Sequence, residues 1–291
     1  MREIKGQKKS RYLILLGILT VLLGGCHRGD SGEMKAGLFS WSSDVFQERE
    51  QQRLFDTMEK LEIQILYQSF SKELSQEQIT SFLQQAYACD IQVYLLTGEP
   101  AWGLEDGGRE MCQEIAYAQT INEAVIQGKI QGIMMDTEPY LCEEWEENPK
   151  EIMESYVGNM KQAYQCAREA GFTFVACIPY YFDSWGYDDE LADLIQTGCD
   201  EVAIMNYSKS EEAEHIRTEA ELAAKGEKEL IIIYELQAPG KHGLVENNTY
   251  YHQGIPGVLK SVESLSESYE LKFSKYALHE YQAVREVLER E

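Results

Sequence analysis

The segment GKIQGIMMDTEPY, residues 128–140, contains an apolar run that leads directly into two carboxylates. Its composition is typical of a buried strand, and we predict a β-strand over residues 130–138. Residues two apart in a strand face the same side, about 6.6–6.8 Å apart, so Met134, Asp136 and Glu138 share one face. A buried strand that ends in two carboxylates is costly unless those groups have a function.

The pattern of a short apolar run followed by an amphipathic segment repeats along the chain from residue 36 onward. The eight predicted strands cover residues 36–41, 63–68, 91–97, 130–138, 172–179, 201–207, 230–236 and 273–281. Eight strands that alternate with helices within residues 36–291 predict one (β/α)8 TIM barrel. The alternative is an open, doubly wound sheet, which usually carries a Gly-rich phosphate turn, and the sequence has no such motif.

In such a barrel the functional residues lie at the carboxyl ends of the strands and in the loops that follow. The predicted strand ends are acidic and aromatic, which favours a carbohydrate substrate, because aromatic rings stack on sugars and carboxylates transfer protons. The residues expected to contact the substrate are Trp41, Tyr67, Glu99, Tyr180, Tyr181, Asn206, His279 and Tyr281. The five His residues are scattered, so we expect no metal and no cofactor.

Two strand ends resemble a known enzyme family. QGIMMDTE resembles the strand-four motif D-G-x-D-x-D-x-E of the family 18 chitinase-like glycoside hydrolases, and IMNYS resembles that family's strand-six M-x-Y-D. The resemblance implies that Glu138 is the general acid/base, that Asp136 orients the substrate's 2-acetamido group, and that Tyr207 hydrogen-bonds to that group. Three positions lack the aspartates of these motifs: Gln131, Met134 and Ser208.

These departures leave two other functions open. TEP at residues 137–139 resembles the NEP motif of retaining glycosidases with catalytic Glu residues on strands four and seven. That resemblance implies that Glu138 is the acid/base and Glu235 the nucleophile, with carboxyl groups about 5–5.5 Å apart. The third hypothesis is an inactive carbohydrate-binding protein, since a fold alone does not confer activity.

The first 35 residues are predicted to lie outside the barrel. A basic segment, an apolar run over residues 12–25 and Cys26 follow one another, which is the order of a secretory signal peptide over residues 1–25. LLGGC resembles the lipobox of bacterial lipoproteins, which implies that Cys26 carries lipid and that residues 26–35 form a tether. We therefore expect an extracytoplasmic protein that is anchored to the membrane.

Charge and cysteine content limit the partners. The formal net charge is −24, and removal of the predominantly basic signal segment makes the mature chain still more acidic. Such a surface repels nucleic acid, so we expect no nucleic-acid partner. We also expect a monomeric protein. The six other Cys residues lack metal-binding spacing, and the sequence leaves open whether any of them form disulfides.

Overall fold

The computed structural model describes residues 34–104, 107–268 and 273–290. Eight parallel strands form a closed barrel in chain order, with the last strand hydrogen-bonded to the first. The strands are β1 (Lys35–Ser40), β2 (Ile63–Gln68), β3 (Gln92–Thr97), β4 (Ile130–Met135), β5 (Thr173–Pro179), β6 (Glu201–Met205), β7 (Glu229–Glu235) and β8 (Lys275–His279). The predicted (β/α)8 TIM barrel is therefore confirmed.

The α-helices follow the strands along the chain and cover the outside of the barrel. They are α1 (Glu48–Lys60), α2 (Gln76–Ala88), α3 (Arg109–Ala124), α4 (Pro149–Ala170), α5 (Asp188–Thr197), α6 (Glu212–His215), α7 (Arg217–Lys225), α8 (Gly254–Ser268) and α9 (Tyr281–Leu288). Local signals set several of their ends. Ser75 and Gln78 form a capping box at the start of α2, and Gly171 ends α4 with a φ of 79°.

Alternate residues of each strand face either the barrel interior or the surrounding helices. On β4, Met134 faces the interior as predicted, whereas Ile133 and Met135 pack in the outer layer against the helices. The interior cluster consists of Phe39, Ile65, Tyr67, Tyr94, Leu96, Met134, Val175, Cys177, Ala203, Met205, Ile231, Ile233 and Ala277. Because these side chains fill the interior, the barrel encloses a packed core and not a pore, and the side chains at the strand ends lie above it.

Strands β4, β6 and β8 end two or three residues before the boundaries predicted from the sequence, and β1 and β7 end one residue before them. On β4, the N–H of Asp136 still donates to the carbonyl oxygen of Thr97 at 2.8 Å. Pro139, which has no N–H, then begins a 3-10 turn. Glu138 therefore lies in the loop after β4 with a φ of −115° and a ψ of 74°, so the strand spacing assumed for the two carboxylates does not hold.

One disulfide joins α3 to α4 on the outside of the barrel, between Cys112 and Cys166. The sequence left open whether any of the cysteines form disulfides. The two that do are separated by 54 positions along the chain. The free cysteines among the described residues are Cys89, Cys142, Cys177 and Cys199.

The predicted signal peptide, Cys26 and most of the predicted tether lie outside the described residues. The barrel itself begins at Lys35, one position before the predicted boundary. None of the helices within the described ranges combines the length and the apolar character needed to cross a membrane.

Candidate active site

Asp136 lies just beyond the end of β4, where the barrel interior opens into the mouth. The register of β4 and β5 pairs Met135 with Ala176 and so brings Cys177 next to Asp136. Burial raises the pKa of Asp136, although a hydrogen bond from the Cys177 thiol and the charge of His279 act in the opposite direction. Its Oδ1 atom is buried and has no hydrogen-bond partner among the described residues. A buried carboxylate oxygen without a partner is uncommon in folded proteins, which marks Asp136 as a candidate functional residue.

Glu138 is the second carboxylate of the mouth and is partly buried. Burial and the charge of Asp136 raise its pKa to about 7, against the opposing effects of Tyr140 and His279. The Tyr140 hydroxyl donates a hydrogen bond to Glu138 Oε1. A carboxyl group with this pKa is substantially protonated near neutral pH and can act as a general acid.

Glu235 and His279 form a hydrogen-bonded pair across the ends of β7 and β8. Glu235 Oε2 lies 2.9 Å from His279 Nδ1, and Glu235 Oε1 accepts the N–H of Gln237 at 2.7 Å. Burial lowers the pKa of His279, but the hydrogen bond to Glu235 and the charges of Glu235 and Asp136 outweigh it, so the net shift is upward. Both oxygens of the buried Glu235 carboxylate are thus engaged within the protein.

Tyr207, which follows β6, lies within electrostatic range of Glu235, Asp136 and Glu138. It packs against the interior cluster, and its ring centroid lies 6.0 Å from that of His279. Burial and then the charges of Glu235, Asp136 and Glu138 raise its pKa well above the ordinary value. The three carboxylates predicted to be catalytic therefore all lie within electrostatic range of the fourth predicted residue, Tyr207, at the mouth of the barrel.

Four of the predicted substrate-binding residues lie around this mouth with accessible surface. Trp41 is 37% exposed, and Glu99 is exposed in the loop after β3. Tyr181 packs against the Tyr140 ring at 5.5 Å, whereas Tyr180 stacks on His215 at 4.7 Å. Of these four, Tyr181 is tied most directly to Glu138 through its contact with Tyr140.

The prediction for Tyr67 is wrong. Its side chain is only 1% exposed and packs inside the barrel, with ring centroids 5.1 Å from Phe39 and 5.5 Å from Tyr94. Tyr67 points inward one layer below the mouth, so it contributes to the core instead of contacting a substrate.

Asn206 and Tyr281 are also wrong as substrate contacts. Asn206 lies between two inward-facing residues, so its amide points outward, where it donates to the carbonyl oxygen of Glu212 at 3.0 Å. Because β8 ends at His279, Tyr281 belongs to α9 and packs in the outer layer beside Arg285. Both side chains are buried on the helix side of the barrel wall.

The sequence reasoning missed several residues that shape the site. Cys177 contacts Asp136, Tyr140 binds Glu138, and the loops after β4 and β5 add Trp145 and Trp185. A usable signal existed for the aromatic residues, because they follow the strands that carry the proposed catalytic groups. No local signal marks Cys177, which comes from the neighbouring strand.

Within residues 34–104, 107–268 and 273–290, no group of three or more His, Cys, Asp or Glu side chains is arranged to hold a metal ion. The groups that the described site does bring together are a carboxyl group with a raised pKa, a second carboxylate and an imidazole, which can transfer protons.

The fold is similar to those of several solved glycoside hydrolases. A protein described as an α-L-fucosidase from Bacteroides thetaiotaomicron aligns with a TM-score of 0.60 and 9% identity over 96% of this chain and 98% of that chain. A chitinase from Chromobacterium violaceum has a TM-score of 0.54 and 10% identity over 88% and 98% of the two chains. A GH18 chitinase from Pseudoalteromonas aurantia has a TM-score of 0.53 and 8% identity over 88% and 100%.

At these identities the likeness concerns the fold, which is a TIM barrel like that of glycoside hydrolases. No protein-family model matches the sequence, and no curated protein shows significant sequence similarity to it. Assignments of reaction and residue roles therefore depend on the chemistry of the mouth itself.

Proposed function

We propose that this protein is a glycoside hydrolase that acts on an oligo- or polysaccharide containing N-acetylhexosamine, with Glu138 as general acid/base and Asp136 as orienting carboxylate. One observation carries the proposal: Glu138 is partly buried beside a second carboxylate, and its pKa is raised to about 7. Glycosidases need a carboxyl group that still holds its proton near neutral pH. The fold shared with chitinases supports the proposal.

In the proposed reaction, Glu138 donates its proton to the glycosidic oxygen while the bond from that oxygen to the anomeric carbon breaks. The carbonyl oxygen of the 2-acetamido group attacks the anomeric carbon and forms a positively charged oxazolinium ring, which Asp136 stabilises. Water then attacks the anomeric carbon and opens the ring. The Glu138 carboxylate accepts the proton of that water and so regenerates the acid.

The pairing of Glu235 with His279 favours this mechanism over one in which Glu235 is the nucleophile. A nucleophilic carboxylate needs an oxygen that is free to attack. Both oxygens of Glu235 already accept hydrogen bonds, and the residue is only 3% exposed. We assign to Glu235 the role of holding His279 in the mouth, where its ring lies beside Tyr207.

The two mechanisms and the non-catalytic hypothesis are separated by a single set of assays. Aryl glycosides with and without a 2-acetamido group are incubated with wild type, Glu138→Gln, Asp136→Asn and Glu235→Gln. Loss of the general acid should lower the rate on the order of 10²–10⁴-fold in E138Q. We expect D136N to lose a comparable factor and E235Q to lose less.

A larger loss in E235Q than in D136N would contradict the proposed mechanism and favour a covalent intermediate on Glu235. Absence of turnover of any glycoside by wild type would refute hydrolysis. Measurable oligosaccharide binding in that case would identify a carbohydrate-binding protein.

We also propose that the protein is anchored outside the cytoplasm through lipid on Cys26. The Leu-Gly-Gly-Cys order supports this location, and so does the disulfide between α3 and α4, because disulfides persist in oxidising compartments. Cell fractionation of Cys26→Ala tests it. The variant should leave the membrane fraction, and unchanged membrane association and processing would contradict the proposal.

A further inference from the structure

Two loops beside Glu138 present a continuous aromatic surface. The loop after β4 contributes Tyr140 and Trp145, and the loop after β5 contributes Tyr181 and Trp185; these four residues are the aromatic patch. The ring centroid of Trp185 lies 4.4 Å from Tyr181, 6.0 Å from Tyr140 and 6.1 Å from Trp145. Trp185 is nevertheless 47% exposed. The patch therefore offers an apolar face to solvent.

The aromatic patch is supported from below and continuous with the proposed acid. Phe182 is fully buried beneath it and packs against Tyr140 at 6.1 Å and Trp185 at 6.4 Å. The N–H of Trp185 donates to the carbonyl oxygen of Tyr181 at 3.1 Å, which closes the loop. Since the Tyr140 hydroxyl is bonded to Glu138, a ligand on the patch would lie next to the reacting bond.

The two loops that carry the patch bear charge of one sign. Residues 139–148 and 180–190 contain no Lys or Arg. Their carboxylates are Glu143, Glu144, Glu146, Glu147, Asp183, Asp188, Asp189 and Glu190. Such a field repels anionic sugars and attracts cations. Trp is also the aromatic side chain that binds a cation most strongly over its face.

We propose that the aromatic patch binds a chain of amino sugars whose amino groups are free and protonated. Sugar rings stack on Trp185 and Trp145, while ammonium groups lie over the ring faces and near the surrounding carboxylates. The inference rests on the proposed function, because it places this chain beside the sugar that Glu138 and Asp136 would process. A partially N-acetylated glucosamine chain meets both requirements, with acetamido groups for Asp136 and ammonium groups for the patch.

The test is a comparison of three tetrasaccharides by titration calorimetry at mildly acidic pH. The probes are the tetramers of glucosamine and N-acetylglucosamine, and cellotetraose, titrated into full-length E138Q so that turnover does not interfere. The glucosamine tetramer should bind at least about fivefold more tightly than the other two. This preference should vanish in about 1 M salt, where the Debye length is about 3 Å.

Two kinds of variant locate the binding site on the patch. Trp185→Ala should weaken binding of the glucosamine tetramer about 5- to 30-fold. Its matched control is Tyr87→Ala, since Tyr87 is 58% exposed on α2 and should leave the affinity unchanged. The double variant E143Q/E144Q should reduce the salt dependence, whereas E59Q/E62Q, which removes the same charge near the end of α1, should not.

Equal or tighter binding of the acetylated or neutral tetramer would overturn the inference, as would unchanged affinity in W185A. If no tetramer binds and W185A abolishes self-association of the protein, the patch is an interface between copies, which also overturns it. If wild type turns over aryl glycosides but E138Q does not bind the glucosamine tetramer more tightly than the other two, this inference alone is refuted. Glucosamine binding without any turnover would refute hydrolysis and leave the binding surface intact.

Discussion

Replacing Glu138 with Gln should remove the pH dependence of stability that titration of Glu138 causes in the wild-type protein. Burial and the charge of Asp136 raise the pKa of Glu138 from 4.5 to about 7. Between these values the folded protein keeps a proton that the unfolded chain has released, so stability falls as the pH rises. The contribution of Glu138 is fully present below about pH 4.5 and is lost as the pH passes through about 7.

The magnitude follows from the difference between the two pKa values. At 1.36 kcal/mol per pKa unit, the loss for wild type is at most about 3 kcal/mol, and less to the extent that solvent screens the carboxyl. Gln does not titrate, so E138Q does not incur this loss. The free energy of unfolding of E138Q minus that of wild type should therefore increase between about pH 4 and pH 8.

Urea unfolding followed by tryptophan fluorescence over this pH range measures that difference. The difference isolates the effect of Glu138, because Asp136 and His279 titrate in both proteins and the pH dependence that they cause is common to both. Tyr140→Phe provides a second test: the Tyr140 hydroxyl lowers the pKa of Glu138, so its removal should move the loss to higher pH. Tyr117→Phe, in which the hydroxyl bonded to the Ser71 carbonyl oxygen is removed, is the matched control. Parallel stability curves for E138Q and wild type would refute the reasoning.

In the proposed hydrolysis, the rate should fall above about pH 7 as Glu138 loses its proton. Asp136→Asn should move this fall to lower pH, because the charge of Asp136 raises the pKa of Glu138; a shift to higher pH in the rate profile would contradict this. Replacing both cysteines of the α3–α4 disulfide with Ser should lower the free energy of unfolding by about 4 kcal/mol through the entropy of a 54-residue loop. Urea unfolding measures this loss, and an unchanged midpoint without reductant would argue against the bridge. Gly98→Ala should destabilise the protein by more than about 1 kcal/mol, because a Cβ there would lie 1.9 Å from the Asp136 carbonyl oxygen. Gly158→Ala on α4 is its control in thermal unfolding. A Cβ at Gly158 would meet no atom within 4 Å apart from its chain neighbours and the backbone of its own helix.

The sequence by itself determined the architecture. Eight apolar runs that alternate with amphipathic segments can bury their apolar faces together in a closed barrel, and β4 shows the pattern at residue level, with Met134 inside and Ile133 and Met135 outside. The position of Asp136, Glu138 and other strand-end residues at the mouth followed from that architecture, since the carboxyl ends of the parallel strands meet there. Strand lengths did not follow, because Pro139 and local turns ended the strands earlier than composition suggested.

Only the tertiary structure decided which residues near strand ends belong to the site. Tyr67 and Tyr281 were predicted at the mouth, yet one fills the interior and the other packs outside, because orientation depends on register and on where each strand stops. The contact between Glu235 and His279 joins residues 44 positions apart, and no local pattern encodes it. The proton affinity of Glu138 likewise arises from burial and neighbouring charge, which exist only when the strands have assembled.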